Sequence, residues 1–328
     1  MKQLFSLYMS VFVILILLNF FLPRLMPGGP IEFIEGQDSG PMLTEAQKES
    51  MIAYYGLDQS LLEQFEHYVK GIVTFDFGTS FSHKTGVTNL ILEHFSYTVS
   101  IVGMAVLLSF IIGITIGLMS AWLYGKRGDR SFMTTMLTIG SIPEFLLGIV
   151  FLLVFAVYGA IFPLSGASTP FMTGASWFEE LKDKVWHGFL PVLTLTIVNI
   201  SSVYLLVRNE SIRVLASPYM EFAKMKGLNR RRLLYRHTAK NALLSVFTLL
   251  MIRIGLLFTG AIFIETLFSY PGIGKLLQES ILSRDYPLMH GLFFIFSSII
   301  LFVNMLADYL YPKLDPRIKG GHVIEKHV

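Results

Sequence analysis

Long apolar runs recur along this 328-residue chain, and shorter polar or charged stretches separate them. A helix needs about 20 consecutive apolar residues to cross the hydrocarbon core of a bilayer. The pattern therefore predicts six transmembrane helices, and hence an all-α integral membrane protein. The predicted spans cover approximately residues 5–22, 97–123, 132–162, 190–207, 243–268 and 292–311. The third run is too long for one straight helix and contains Pro143.

The first run has two interpretations. It could be a cleaved signal peptide, or it could be a helix that remains part of the protein. No Ala-x-Ala-like cleavage site follows the run, because residues 22–30 read LPRLMPGGP. The sequence therefore favours a retained transmembrane helix.

The basic residues in the short connections predict the orientation of the spans. Lys and Arg are concentrated at residues 126–130, in the segment from 208 to 240, and in the C-terminal tail. Cytoplasmic loops carry an excess of these residues. All three basic regions lie on one side if the chain has six spans and both termini are cytoplasmic.

Four regions follow from this arrangement. Residues 1–22 form an N-terminal transmembrane helix, and residues 23–96 form an extracytoplasmic loop with two or three short helices. Residues 97–313 form a core of five helices with a cytoplasmic loop at about residues 208–242. Residues 314–328 form a cytoplasmic tail.

The composition excludes several classes of function. Hydrophobic residues make up 53% of the chain and charged residues 15%, whereas soluble domains carry about 25% charged residues. There is no Cys, which excludes disulfides, thiol catalysis and Cys-based metal sites. A net charge of +3 is too small to indicate a nucleic-acid-binding protein.

Motifs for catalysis are also absent from the sequence. The segment YPGIGK is followed by Leu276, where a phosphate-binding loop needs Ser or Thr. The histidines are scattered, and interfacial or solvated positions are expected for His187, His237 and His290. We therefore expect no catalytic residue, no metal site and no directly bound cofactor.

The basic cytoplasmic segment contains the pattern of a short helix, a turn and a second helix. Pro218 suits the first turn of a helix, and residues 219–226 supply two turns. Gly227 fits the position just past a helix end, and Asn229 can cap a helix over residues 230–244. Such a rigid unit could press into a groove on another protein. The alternative is an ordinary basic loop that contacts anionic lipid.

The spacing within this segment resembles that of a known protein family. Glu221, Ala223 and Gly227 form the pattern Glu-x-Ala-x-x-x-Gly, which resembles the coupling loop of ABC importer membrane subunits. The segments SIPEFLLGIVF, ETLFSYPGIGKLL and DYLYPKLDPRIK resemble further parts of the dipeptide, oligopeptide and nickel permease family. The sequence departs from the family at Phe222, where Ala is usual, and at Ser245, where Pro is usual.

The resemblance implies a permease with the type I ABC importer fold in the cell membrane of a bacterium or archaeon. Its partners would be a homologous second permease, two cytoplasmic ATPase subunits and an extracytoplasmic binding protein, besides membrane lipid. ATP and Mg²⁺ would be used by the partner subunits, and the substrate would be a dipeptide or oligopeptide. The implied coupling residues are Tyr219, Glu221, Ala223, Lys226, Gly227 and Leu228.

Other functions remain open at this point. The family also includes permeases for nickel or metal chelates and other small solutes. An ion-coupled transporter acting alone would need charged residues within the membrane, which the chain has, but it leaves the Glu-x-Ala-x-x-x-Gly pattern unexplained. A membrane scaffold or receptor is a third class.

Two charges of opposite sign are expected at similar depth in the membrane. Glu144 and Arg253 lie roughly 20 and 16 Å from the cytoplasmic ends of their spans, at about 1.5 Å per residue. An unpaired charge there costs about 2.5–3.5 kcal/mol. Both are therefore predicted to line the translocation path, where they pair or hold the charged ends of a peptide. Alternatively, carbonyl groups, hydroxyls such as that of Ser141, or water near Pro143 satisfy each separately.

Overall fold

The computed structural model describes residues 2–26, 44–54, 56–171, 176–240, 242, 247 and 261–314. Within these ranges the ordered elements are helices, and an isolated antiparallel bridge joins Thr79 to Gly86. The helices are α1 (Lys2–Arg24), α2 (Glu45–Tyr54), α3 (Leu61–Thr74), α4 (Val87–Trp122), α5 (Arg127–Gly140), α6 (Glu144–Phe151), α7 (Trp177–Leu215), α8 (Pro218–Met225), α9 (Ile273–Leu282) and α10 (Tyr286–Leu314). Two π-helical segments, Leu152–Tyr158 and Arg232–Thr238, also lie within the described ranges.

Among the residues that the structure describes, four helices are long and apolar enough to cross a membrane, and they correspond to the first, second, fourth and sixth predicted spans. They are Ser6–Arg24, Val87–Trp122, Trp177–Leu215 and Tyr286–Leu310. A bent pair, Arg127–Gly140 with Glu144–Tyr158, raises the number to five among the described residues if the pair is one span. Most of the predicted fifth span lies outside the described residues, and residues 261–267 within it are helical.

Two of these helices begin earlier than their apolar runs predict. Helix α7 starts at Trp177 instead of residue 190 because Ser176 and Glu179 form a capping box ahead of the apolar run. The hydroxyl of Ser176 accepts a hydrogen bond from the Glu179 amide, and the Glu179 carboxylate accepts one from the Ser176 amide. These bonds satisfy amide groups that a helix start otherwise leaves free. Helix α4 starts at Val87, ten residues before the predicted residue 97.

The predicted interruption of the third span is confirmed. Helix α5 ends at Gly140, α6 begins after Pro143, and the two axes differ by 93°. Proline has no amide hydrogen and its ring clashes with the preceding turn, which explains the break. The hydroxyl of Ser141 donates to the carbonyls of Leu137 and Thr138, at 2.8 and 2.9 Å.

The chain forms two compact units. The first contains residues 1–98 and 271–301, and its apolar core includes Phe20, Tyr68, Ile72 and Phe294. Helices α2 and α3 lie between the first two spans, where short helices were expected. Burial raises the pKa of Tyr68 to about 12.

His290 departs from part of the sequence prediction in this first unit. It is only 9% exposed, so a solvated position is wrong, whereas a depth near the membrane interface stays a prediction. Its ring stacks on Phe20 with a centroid distance of 5.9 Å, and its Nε2 atom lies 3.1 Å from the guanidinium of Arg24. These long-range contacts are invisible in a pattern of local hydropathy.

A buried carboxylate holds one irregular stretch of the first unit, residues 76–86, which we call the hairpin segment. Asp285 accepts hydrogen bonds from the Ser80 hydroxyl at 2.6 Å and from the Ser82 amide and hydroxyl, both at 2.9 Å. It also accepts one from the Leu288 amide at 3.2 Å, in the first turn of α10. Hydrogen bonds from uncharged donors therefore hold the hairpin segment against the start of α10.

The second unit contains residues 99–270 and 302–328, and α7 packs closely there against both α4 and α5. A Cβ atom placed on Gly113 or Gly117 of α4 would lie 2.8 Å from the side chain of Val203 or Val207, respectively. Such small residues four apart allow two membrane helices to approach closely. The hydroxyl of Ser201 on α7 donates to the Met136 carbonyl of α5 at 2.7 Å.

Candidate functional site

The short helix expected in the basic region is α8, Pro218–Met225, and with its flanking residues we call residues 217–229 the coupling segment. Ser217 has the extended backbone of a cap, with φ −76° and ψ 147°, and Pro218 occupies the first turn. Proline fits there because its missing amide hydrogen would have no partner within the helix. The helix follows two residues after the end of α7, so the two are joined by a tight connection.

Gly227 ends the short helix with a left-handed backbone. Its φ is +68°, and its amide donates to the carbonyl of Lys224 at 2.9 Å. A Cβ atom at this position would meet nothing within 4 Å. The requirement for glycine is therefore conformational and does not arise from crowding.

Asn229 caps the following helix as predicted, since its side-chain oxygen accepts a hydrogen bond from the Arg232 amide at 3.0 Å. That helix differs from the expected regular form because residues Arg232–Thr238 are π-helical. Such wide turns are rare, and propensity within one sequence gives no local signal for them.

One face of α8 is packed against the rest of the second unit. Met220 is fully buried, and it forms a cluster with Ala223 and Leu233. Trp122 and Leu228 pack against that cluster. Two of the predicted coupling residues, Ala223 and Leu228, therefore hold the helix in place instead of forming its exposed surface.

The opposite face of α8 is exposed and largely apolar. Tyr219, Phe222 and Met225 are 44%, 64% and 75% exposed, and they recur every three residues on the helix. Glu221 and Lys226, two further predicted coupling residues, are also exposed. Phe222 and Met225 were missed because the sequence analysis followed the Glu-x-Ala-x-x-x-Gly pattern; the three-residue spacing of large apolar residues was the available signal.

A buried ion pair lies near this segment, and the sequence pattern did not predict it. Arg208 of α7 donates to both carboxylate oxygens of Asp129 of α5, at 2.7 and 2.8 Å. Arg208 was counted among the residues of a cytoplasmic loop, which is wrong, because it lies within α7 and is only 7% exposed. Two residues 79 positions apart leave no local pattern that would have revealed the pair.

Of the two charged residues expected on the translocation path, one lies within the described residues and the other does not. Glu144 is the first residue of α6, directly after the 93° bend, and it is half-buried. Ser141 donates to backbone carbonyls of its own helix, as described above. Arg253 lies outside the described residues, so its predicted pairing with Glu144 stays a prediction.

Comparison with known proteins assigns the class of this membrane protein. Residues 113–320 match the family described as the binding-protein-dependent transport system inner membrane component. That match covers well over half of the chain, and the chain belongs to this family. The class is therefore that of ABC importer permeases.

Individual relatives extend over almost the whole chain. The dipeptide transport system permease protein DppB of Bacillus subtilis (strain 168) is 32% identical, with 94% of each chain covered. The protein of the same name from Escherichia coli (strain K12) is 29% identical, with 96% of each chain covered. The glutathione transport system permease protein GsiC of Escherichia coli (strain K12) is 30% identical, with 97% of each covered.

A solved structure supports the fold. A chain from the inward-facing methionine ABC transporter MetNI matches with a TM-score of 0.56 and 12% sequence identity. The match covers 69% of this chain and 96% of that chain. At this identity the similarity concerns the fold alone.

Proposed function

We propose that this protein is one of two membrane-spanning subunits of an ATP-driven importer for dipeptides or oligopeptides. A homologous permease completes the translocation path, an extracytoplasmic binding protein delivers the peptide, and two cytoplasmic ATPase subunits use ATP and Mg²⁺. The chain crosses the cell membrane six times with both termini in the cytoplasm. The proposal is supported by family membership and by the basic residues of the coupling region.

The observation that carries the proposal is the two-faced geometry of α8. Its inner face is fixed by Met220 and Ala223, and its outer face exposes Tyr219, Phe222 and Met225. A short helix with exposed anchors every three or four residues suits docking into a groove of a partner. Closure of the ATPase subunits would then push a rigid element, and the push would move the attached spans between two packings.

Peptide is the preferred substrate because relatives over nearly the full chain are named for a dipeptide and for glutathione, which is itself a tripeptide. A nickel or metal chelate would be the main alternative within the family. No specific observation in the structure favours that alternative.

Reconstitution tests this function directly. The chain would be combined in proteoliposomes with a homologous permease and two ATPase subunits, and a binding protein would be added outside. We expect uptake of a labelled dipeptide or tripeptide that requires both ATP and the binding protein. Uptake by the chain alone along an ion gradient would contradict the proposal and support an ion-coupled transporter.

Glu144 is the residue of this chain that we propose to contact the peptide in the translocation path. It stands at the break between α5 and α6, and interrupted helices form substrate sites in many transporters. Its carboxylate would attract the amino end of a peptide, and Arg253 would attract the other end or pair with Glu144. Glu144→Arg and Arg253→Glu should each impair uptake. Partial recovery in the double variant would support pairing, and a double variant no better than the worse single variant would exclude it.

A further inference from the structure

The ion pair in the second unit is the centre of a buried polar network. Arg208 contacts Asp129 with two hydrogen bonds, as described above, and Ser120 of α4 donates to the same carboxylate at 2.7 Å. The Gly125 amide, in the turn between α4 and α5, donates to it at 3.1 Å. The hydroxyls of Ser120 and Tyr204 are 2.8 Å apart. One carboxylate therefore joins α4, α5 and α7.

This network lies next to the residues that hold the coupling segment. Trp122, two residues after Ser120, packs against the cluster of Met220, Ala223 and Leu233. The guanidinium of Arg230 also lies over the Trp122 ring, 5.3 Å from its centroid. The end of α4 therefore contacts the coupling segment on one side and the ion pair on the other.

The three helices have little freedom to slide past each other. Gly117 of α4 and Gly140 of α5 approach Val207 and Ser201 of α7 so closely that an added Cβ would lie 2.8 and 2.9 Å from the respective Cβ atoms. A bidentate contact between a guanidinium and a carboxylate also fixes the relative orientation of the two groups, since both groups are planar. Packing limits the separation of the helices, and the ion pair limits their relative rotation.

We propose that Asp129 and Arg208 are positioning residues that make α4, α5 and α7 move as one body when the coupling segment is pushed. The inference rests on the proposed function, because it concerns how an ATP-driven displacement of α8 reaches the spans. Helix α7 continues into α8 through a connection of two residues, so α7 receives the push directly. Without the ion pair, α7 would turn against α4 and α5, and ATP hydrolysis would continue without moving peptide.

A purely stabilising role gives a different expectation. Removing one partner of a buried ion pair leaves the other charge uncompensated, and this is strongly destabilising. If the pair only maintained the fold, its loss would reduce the amount of assembled complex, and the surviving complexes would transport normally. The quantity that separates the two roles is therefore the number of peptides taken up per ATP hydrolysed.

The experiment uses the full complex in proteoliposomes and compares Asp129→Asn, Arg208→Lys and the reversed pair Asp129→Arg with Arg208→Asp. Arg213→Gln is the matched control, because Arg213 lies five residues further along α7 in an exposed ion pair with Glu210. Each complex is assayed for assembled subunits, ATP hydrolysis and peptide uptake. A gel-filtration peak containing all subunits establishes assembly before the ratio is measured.

We expect complexes with Asp129→Asn or Arg208→Lys to retain ATP hydrolysis. The number of peptides taken up per ATP should fall at least tenfold, which corresponds to about 1.4 kcal/mol. The reversed pair should recover part of the ratio, and Arg213→Gln should leave it unchanged. A normal ratio in the single variants would overturn the inference, as would failure of every variant to assemble. Absence of ATP-driven uptake by the unmodified complex would instead overturn the proposed function.

Discussion

The hairpin segment and the coupling segment are both short, and each contains a glycine with positive φ. Gly78 has φ +81° and Gly227 has φ +68°, and a Cβ atom on either would meet nothing within 4 Å. They differ in what holds them. Hydrogen bonds to the buried Asp285 add to the apolar packing of Phe77 in the hairpin segment, whereas apolar packing beneath α8 holds the coupling segment.

The difference is consistent with two mechanical tasks. Hydrogen bonds to a carboxylate are directional, and they suit a stretch that keeps one position. Apolar packing beneath a helix leaves its other face available, and in α8 that face is apolar as well. A segment that receives a partner needs both faces, one for attachment and one for docking.

The largest expected effect separates the two faces of α8. Met220→Ala should destabilise the protein by about 2–5 kcal/mol, because it opens a cavity under a fully buried side chain. Thermal denaturation in detergent should show a lower midpoint. Phe222→Ala is the matched control: it should change stability by about 0.5 kcal/mol or less but weaken association with the ATPase subunits. Equal destabilisation by both variants would show that the faces do not differ.

A second test removes the carboxylate that holds the hairpin segment. Asp285→Ala should cost about 1–3 kcal/mol, since it leaves buried hydroxyl and amide donors without an acceptor. The same denaturation assay measures the loss. The ratio of peptide uptake to ATP hydrolysis should stay normal in complexes that assemble. A changed ratio would mean that the hairpin segment also takes part in coupling.

The two glycines allow an equivalent backbone change in each segment. Gly227→Val should insert normally but uncouple transport, because a β-branched residue with this φ is strained by about 1–2 kcal/mol. Gly78→Val should suffer similar strain without uncoupling. ATP-driven uptake at normal membrane abundance provides the measurement. Normal uptake by Gly227→Val would make residue 227 a passive linker.

The smallest expected effect on stability concerns Glu221. Its carboxylate lies in the first turn of α8, where the helix dipole stabilises it by under about 1 kcal/mol. Glu221→Ala should nevertheless weaken association with the ATPase subunits, which co-purification at increasing salt would measure. A cysteine at this position should crosslink to an ATPase subunit, and the cysteine-free chain provides the background. Complete absence of crosslinks would count against the interface.

The features that the sequence predicted correctly depend on local rules. The break at Pro143, the positive φ of Gly227 and the cap at Asn229 each follow from the conformational limits of one residue type. The long apolar helices follow from the length of chain needed to cross a bilayer. The exposed apolar face of α8 was not predicted, although the three-residue spacing of its large residues carried the signal.

The features that the sequence did not predict depend on distant partners. Asp129 and Arg208 are 79 residues apart, and Ser80 and Asp285 are 205 residues apart. Charge counting treats each basic residue as facing water, so it assigned Arg208 to a loop. Only the packing of α7 against α5 shows that this charge is neutralised within the protein.

The close approach of α4 and α7 has a consequence for the evolution of this chain. Because a side chain on Gly117 would collide with Val207, position 117 cannot gain volume alone. The added atom would lie 2.8 Å from the Cβ of residue 207 itself, so an alanine at 117 requires glycine at 207 or a wider separation of the two helices, and the two sites should change together in descendants of this sequence. The same holds for Gly113 and Val203. Substitutions along this helix pair are thus expected to occur in pairs. The protein that carries only the first substitution of a pair should be less stable.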